Sequence, residues 1–408
     1  MKEYGVVFAG GGARGSYQIG VWKSLNELGL KIAAVAGTSI GAINGALMVQ
    51  NDFEKAYRLW QSIEIGDVIN LEGLGGSNKK KIGLKELAAN LKDIINGRGL
   101  DISPLIKMLH EHINERAVRD SEIGFGLVTF SLSDLKPLLL YKEDIPEGKL
   151  VDYLIASASL PLFQSHEMDN KRFIDGGAYD NMPVSLIKDK GIRDIITVDV
   201  SGIGVVRKWT FRGANIIHIK NSEDLGGILE FDGDRIKRNI EIGYLDALKA
   251  FGKYIGTRYY IKNDGDIWKG IMSPLEAKEA EMLYSFLEID DDSHLTSKLV
   301  RYRVMRTLKK YSPGRLDGRT VMLAAAEIAA ETMEIERAKV YSLEGIAKEI
   351  LKAYYSSDDA SVFKHSIDII LKLISEDKRE GVRLITALSP KISITSLFIA
   401  LMLWRERS

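Results

Sequence analysis

Two glycine-rich turns lie within the first 41 residues, each between a strand-like and a helix-like run, and they leave few folds open. The first, Gly10-Gly11-Gly12-Ala13-Arg14-Gly15, follows Val6–Ala9. It precedes Ser16–Leu28, where Tyr17, Val21, Leu25 and Leu28 fall on one helical face. The second, Gly37-Thr38-Ser39-Ile40-Gly41, follows the apolar run Ile32–Ala36 and leads into a helical Ala42–Gln50. Strand–turn–helix units in succession predict an α/β fold with a mostly parallel central sheet flanked by helices.

The pattern continues. Phe53, Tyr57, Trp60 and Ile63 are spaced for a helix, as are Leu84–Ile95, Pro104–Ile113 and Leu150–Ser157. Ile123–Leu132 and Pro137–Tyr141 read as strands paired around Ser133-Asp134, and Arg172–Ile174, Ile195–Val200 and Ile216–Ile219 as further strands. Leu71–Gly83, with Gly73, Gly75 and Gly76 ahead of the run Lys79-Lys80-Lys81, reads as a mobile surface loop. After about residue 265 strand signals fade. Glu276–Leu287, Leu295–Lys309, Val321–Met333, Leu343–Tyr355, Val362–Ile374 and Ile394–Trp404 are patterned as helices. The expected organisation is a catalytic α/β domain over 1–265 and an all-helical unit over 266–408.

Composition narrows the function. Lysine plus arginine equals aspartate plus glutamate at 56 each, so the chain carries no electrostatic signature of nucleic-acid binding. The absence of cysteine excludes disulfides and thiolate metal sites and fits a reducing, cytoplasmic compartment. Met1-Lys2-Glu3 runs straight into a short strand-like segment, so no signal peptide is expected. The longest apolar tract, Ile392–Trp404, is 13 residues long, short of the roughly 20 that a membrane span needs.

The turns themselves suggest acyl transfer. A G-x-S-x-G sequence between strand and helix holds its serine on a strained bend, and small residues two before and two after avoid collisions there; Gly37 and Gly41 fill those places around Ser39. Gly10–Gly15 also fits the dinucleotide fingerprint G-x-G-x-x-G. That reading wants an acid at the end of the second strand, where this chain has Val35-Ala36-Gly37-Thr38-Ser39. The N–H groups of Gly11, Gly12 and Ala13 at a helix start therefore read better as a cradle for an oxyanion, with Arg14 adding charge or bracing the loop.

A serine nucleophile needs a base. Among six histidines, only His218 sits in the sheet region after an acid, and it lies inside a strand, away from the loop ends where chemistry gathers. Asp175 follows the strand Arg172–Ile174 and precedes Gly176-Gly177, at a strand's carboxyl end where α/β sheets build their sites. On residue preference alone it would be a turn-capping aspartate.

Four ordered motifs together are specific. GGGARG at 10–15, GTSIG at 37–41, ASASLP at 156–161 and DGG at 175–177 make the chain resemble the patatin-like phospholipase family over about residues 4–252, with Asp232–Tyr254 similar to the closing helix of bacterial members. The resemblance implies a patatin-like α/β/α fold and a Ser39–Asp175 catalytic dyad without histidine. It implies an oxyanion hole on Gly10, Gly11 and Gly12 beside Arg14, and neither cofactor nor metal. The expected activity is hydrolysis of fatty-acyl esters of lipids. The basic run Arg301–Arg319 offers peripheral contact with an anionic membrane or a merely solvated face. A dinucleotide-binding oxidoreductase and a non-catalytic lipid-binding protein are the competing classes.

Overall fold

The computed structural model describes residues 2–72, 99–164, 167–263, 267–280, 294–312, 314–356, 361–375 and 389–407. The loop and helix expected within 73–98, His166 and most of Glu276–Leu287 lie outside these residues. The chain divides into two compact units, Met1–Ala250 and Phe251–Ser408. The boundary anticipated at 265/266 thus falls inside the second unit.

The first unit is built on one eight-stranded mixed sheet. Its parallel centre consists of β1 (Glu3–Phe8), β2 (Lys31–Thr38), β3 (Gly124–Ser131), β7 (Asp194–Asp199) and β8 (Asn215–Lys220). Three antiparallel strands complete it: β4 (Lys136–Tyr141), β5 (Glu167–Met168) and β6 (Lys171–Asp175). The order is β5-β6-β3-β2-β1-β7-β8, with β4 also paired to β3. Central strands such as β1, with Val6 and Val7 wholly buried, are continuous apolar runs because helices cover both faces.

Helices α1 (Ser16–Glu27), α2 (Ile40–Val49), α3 (Phe53–Ser62), α4 (Ser103–His112), α5 (Glu115–Asp120), α6 (Leu150–Ser157), α7 (Val184–Asp189) and α8 (Gly233–Ala250) flank the sheet. α1 and α8 cross at backbone contact. A Cβ on Gly20 would collide with the Ile240 carbonyl oxygen, and one on Gly243 with that of Tyr17. Polar bonds line the same seam: Ser24 Oγ to the Tyr244 carbonyl at 2.7 Å, and Tyr17 OH to Asp246 Oδ2 at 3.0 Å. α8 therefore fixes α1, and with it the turn that opens α1.

The second unit contains α9 (His294–Tyr311), α10 (Gly318–Thr332), α11 (Leu343–Ser356), α12 (Ser361–Ser375) and α13 (Pro390–Arg407). It is not all-helical. β9 (Tyr254–Ile255), β10 (Tyr260–Lys262) and β11 (Val340–Tyr341) form a three-stranded sheet. Strands of two and three residues are too short to show a period-2 pattern, which is why the sequence hid them. The terminal apolar tract is α13, buried from Ser393 to Leu403 in this unit's core. Among the described residues no helix is long and apolar enough to cross a membrane.

One buried charge organises the second unit. Glu327 on α10 is fully buried and accepts three backbone hydrogen bonds, from Thr257 (2.9 Å), Arg258 (2.6 Å) and Tyr259 (2.8 Å). Such a carboxylate is tolerated because amides replace its water. Glu327→Ala should lower the unfolding free energy by roughly 3–5 kcal/mol, since it removes the shared acceptor of three amides, that of Tyr259 fully buried. A urea transition of the intact chain will show the loss; an unchanged midpoint would mean the cage holds nothing together.

Candidate active site

Strand register brings Ser39 and Asp175 together. Thr38, the last residue of β2, pairs with Val128 on β3, and Asp175 pairs with the next residue, Thr129. Residues 39 and 175 thus flank one strand at the same level. β6 runs antiparallel to β3, so the carboxyl-end rule for parallel strands is not what places Asp175; its register against β3 is.

Ser39 is the bend between β2 and α2, with φ 57° and ψ −129°. Few non-glycine residues adopt such a backbone, and strain of this kind gathers at functional sites. The bend is this tight because Gly41 passes under the end of β1: a Cβ there would collide with the Phe8 carbonyl oxygen and come within 2.7 Å of that of Ala9. Ser39 N–H donates to Ser157 Oγ at 3.0 Å, and the Ser157 hydroxyl donates to the Val128 carbonyl at 2.6 Å. The positive end of α2 begins at Ser39.

Asp175 is 8% exposed and Ser39 6%. Asp175 N–H donates to the Ser159 carbonyl, and Oδ1 accepts the Gly177 N–H, both at 2.7 Å. Burial pushes the carboxyl well above the usual aspartate range, while interaction with the Ser39 hydroxyl and the Gly177 amide opposes that rise. Asp175 Oδ2 is buried and makes no full hydrogen bond. The hydroxyl and carboxylate interact, then, but stop short of bonding geometry.

The glycine turn offers fewer donors than the sequence suggested. Gly10 N–H is taken by Asn181 Oδ1 at 3.1 Å, and Asn181 Nδ2 returns a bond to the Gly10 carbonyl at 3.3 Å. Ala13 N–H is taken by the Ile228 carbonyl at 2.8 Å. Arg14 braces the loop: Nε donates to the Gly226 carbonyl at 2.7 Å and a second nitrogen to that of Ser201. Of the five residues Gly10 to Arg14, only Gly11 and Gly12 keep an N–H without a protein acceptor among the described residues. Gly10 nonetheless lies against Ser39, because a Cβ on it would sit 3.1 Å from that of Ser39.

Two apolar spaces meet here. A narrow cavity of about 60 Å³ is lined by Gly12, Ser39, Ile43, Leu47, Trp60 and Phe163, among others. An open cleft of about 650 Å³ is lined by Leu162, Ile174, Asp175, Ile203 and Val205. Leu160, Ile228 and Leu229 border both. His112 is also on the wall of the narrow cavity, its Nδ1 2.9 Å from the Met108 carbonyl oxygen. His218 lies on β8, at the sheet edge, 2.8 Å from Thr197 Oγ1 and 3.7 Å from Asp199; burial lowers its pKa. It is a satisfied edge histidine.

Sequence reasoning missed three braces. Asn181 and Ser157 hold the first turn and the elbow; the only signals were their places just after DGG and inside ASASLP. Asp180 is the third. Its carbonyl accepts Thr38 Oγ1 at 2.8 Å, and burial pushes its carboxyl up to about 6.

Residues 6–187 match the family model described as patatin-like phospholipase. It is 26% identical over 198 residues to mouse patatin-like phospholipase domain-containing protein 7, an alignment covering 48% of this chain and 13% of the mouse protein. It is 28% identical over 206 residues to lysophospholipase nte1 of Aspergillus terreus, covering 50% of this chain and 12% of that one. The chain therefore spans a small part of the length of these relatives. The crystal structure of VipD from Legionella pneumophila aligns at 14% identity and TM-score 0.39, covering 99% of this chain and 91% of that one.

The buried carboxylate has a thermodynamic signature. A folded-state pKa raised above the unfolded value means the fold prefers the protonated form, so ionised Asp175 destabilises the fold above its raised pKa. Asp175→Asn should therefore be more stable than the parent chain at pH 7, and the difference should vanish below about pH 3.9, the ordinary aspartate pKa. Urea midpoints across that range will test it; a variant less stable at neutral pH would contradict the burial argument.

Proposed function

We propose that the first unit is a lipid acyl hydrolase of phospholipase A or esterase type, working through a Ser39–Asp175 dyad. The observation that carries this reading is a serine on a strained βα bend, facing a buried aspartate whose free oxygen has no other partner, beside the open amides of Gly11 and Gly12. Apolar walls on both sides of the pair suit a fatty-acyl ester. The names of the relatives, a phospholipase domain-containing protein and a lysophospholipase, point the same way.

In this mechanism Asp175 Oδ2 takes the hydroxyl proton as Ser39 Oγ bonds to the ester carbonyl carbon. The carbonyl oxygen becomes an oxyanion and is held by the Gly11 and Gly12 N–H groups, with Gly10, Ala13 and Arg14 keeping the loop in shape. The ester C–O bond breaks, and the leaving alcohol or lysolipid receives the proton from Asp175. Water then attacks the acyl-enzyme with Asp175 again as base, freeing the fatty acid. An aspartate is an intrinsically weak base, so its upward shift matters, and so do the two amides; one such donor is typically worth about 3–4 kcal/mol of barrier. No cofactor or metal takes part in these steps. The protein is read as cytoplasmic and peripheral at anionic membranes.

Ser39→Ala and Asp175→Asn should each lower p-nitrophenyl ester hydrolysis and fatty-acid release from a lysophospholipid by roughly a thousandfold or more, with native circular dichroism. Full activity in either variant would end the dyad reading. In the parent chain kcat/KM should fall as pH drops through the raised pKa of Asp175, because only the ionised carboxylate accepts the proton. A rate flat down to the usual carboxylate range would contradict that role.

A further inference from the structure

Seven large apolar side chains among the described residues are markedly exposed, and five of them sit on two loops: Leu132 and Leu135, and Ile203, Val205 and Trp209. The first loop joins β3 to β4, and the second follows β7. Because β1, β2, β3 and β7 are parallel neighbours, both loops leave the same edge of the sheet, the edge on which Ser39 follows β2. Ile203 and Val205 also line the open cleft beside Asp175. Leu135 is 77% exposed and holds φ 50°, a conformation unfavourable for leucine. Nothing in a water-facing hairpin tip calls for a leucine there.

Charge accompanies the apolar tips. Ser201–Gly213 contains Arg207, Lys208 and Arg212 and no acidic residue, and Lys208 and Arg212 are exposed. Near the hairpin, Lys136 and Arg172 are exposed, while Lys171 is paired with Asp134 at 2.8 Å. Arg207 lies over the rings of Tyr179 and Trp209. Apolar tips with an aromatic at the rim and surplus cations behind match a layer that is anionic outside and hydrocarbon within.

We propose that this loop edge, rather than the basic run of the second unit, is the face by which the chain docks on an anionic lipid surface, with the cleft mouth against the lipid. This rests on the lipid-hydrolase reading in that the cleft is taken to receive acyl chains. Insertion of Ile203, Val205, Trp209 and Leu135 among headgroups would let a lipid reach Asp175 and Ser39 without crossing water.

The test uses full-length Ser39→Ala protein, which leaves vesicles intact, and sedimentation with vesicles of phosphatidylcholine alone or mixed equally with phosphatidylglycerol. Two further variants are added to it: Trp209→Ser with Leu135→Asn, and Lys208→Glu with Arg212→Glu. Asparagine accepts the backbone of position 135 more readily than leucine, so folding is not at risk there. The parent should prefer the mixed vesicles, and each variant should partition at least roughly tenfold less. The same substitutions with Ser39 intact should leave hydrolysis of a water-soluble short-chain ester unchanged. Unaltered partitioning in both variants, or equal binding to both vesicle types, overturns the proposal. If no ester is hydrolysed but the partitioning losses appear, docking stands and the hydrolase reading falls.

Discussion

The close passage of α2's first turn beneath the end of β1 is the constraint on which the site depends. Gly41 has no side chain because the carbonyl oxygens of Phe8 and Ala9 occupy that space. That closeness forces the backbone at Ser39 to φ 57° and lifts its side chain out of the strand. It also puts the two glycine turns side by side, so that Gly10 lies against Ser39. Substituting either element would separate the hydroxyl from the amides, not merely loosen packing.

Around that contact the polar groups fall into two sets. Most are spent on bracing: Gly10 on Asn181, Ala13 on Ile228, Arg14 on Ser201 and Gly226, Ser39's own amide on Ser157. A few have no protein partner among the described residues, namely the Gly11 and Gly12 amides and the buried oxygens Asp175 Oδ2 and Asp180 Oδ2. Buried polar groups without partners are costly, and native structures keep few of them. Asp175 Oδ2 and Asp180 Oδ2 are two of these, both on the segment that Thr38, next to Ser39, bonds through its hydroxyl. The unfavourable burial of Asp175 belongs to the same pattern: withholding water from the carboxyl raises its pKa.

The sequence made the sheet unit legible because its signals were local. Continuous apolar runs marked the central strands, glycine spacing marked both turns, and residues 150–157 were patterned as the helix that forms there. What stayed hidden depends on partners far along the chain. That Ala13's amide is consumed by Ile228, more than two hundred residues away, leaves no trace in Gly10–Gly15. Asp175 was singled out by a rule for parallel strands, yet β6 is antiparallel and the register with Thr129 does the placing. β11 was invisible because two residues carry no period, and the boundary near 250 was invisible because only the three residues 251–253 separate α8 from β9.

The backbone seam between α1 and α8 bears on how the first unit could travel between proteins. The family match ends at residue 187, but the helix that presses Gly243 onto Tyr17 and bonds Ser24 through Tyr244 lies at 233–250. A graft trimmed to the matched stretch would leave α1 without its lid and the Gly10–Gly15 turn without its anchor. The smallest portable cassette in this chain is therefore about a third longer than the stretch by which its kinship is recognised.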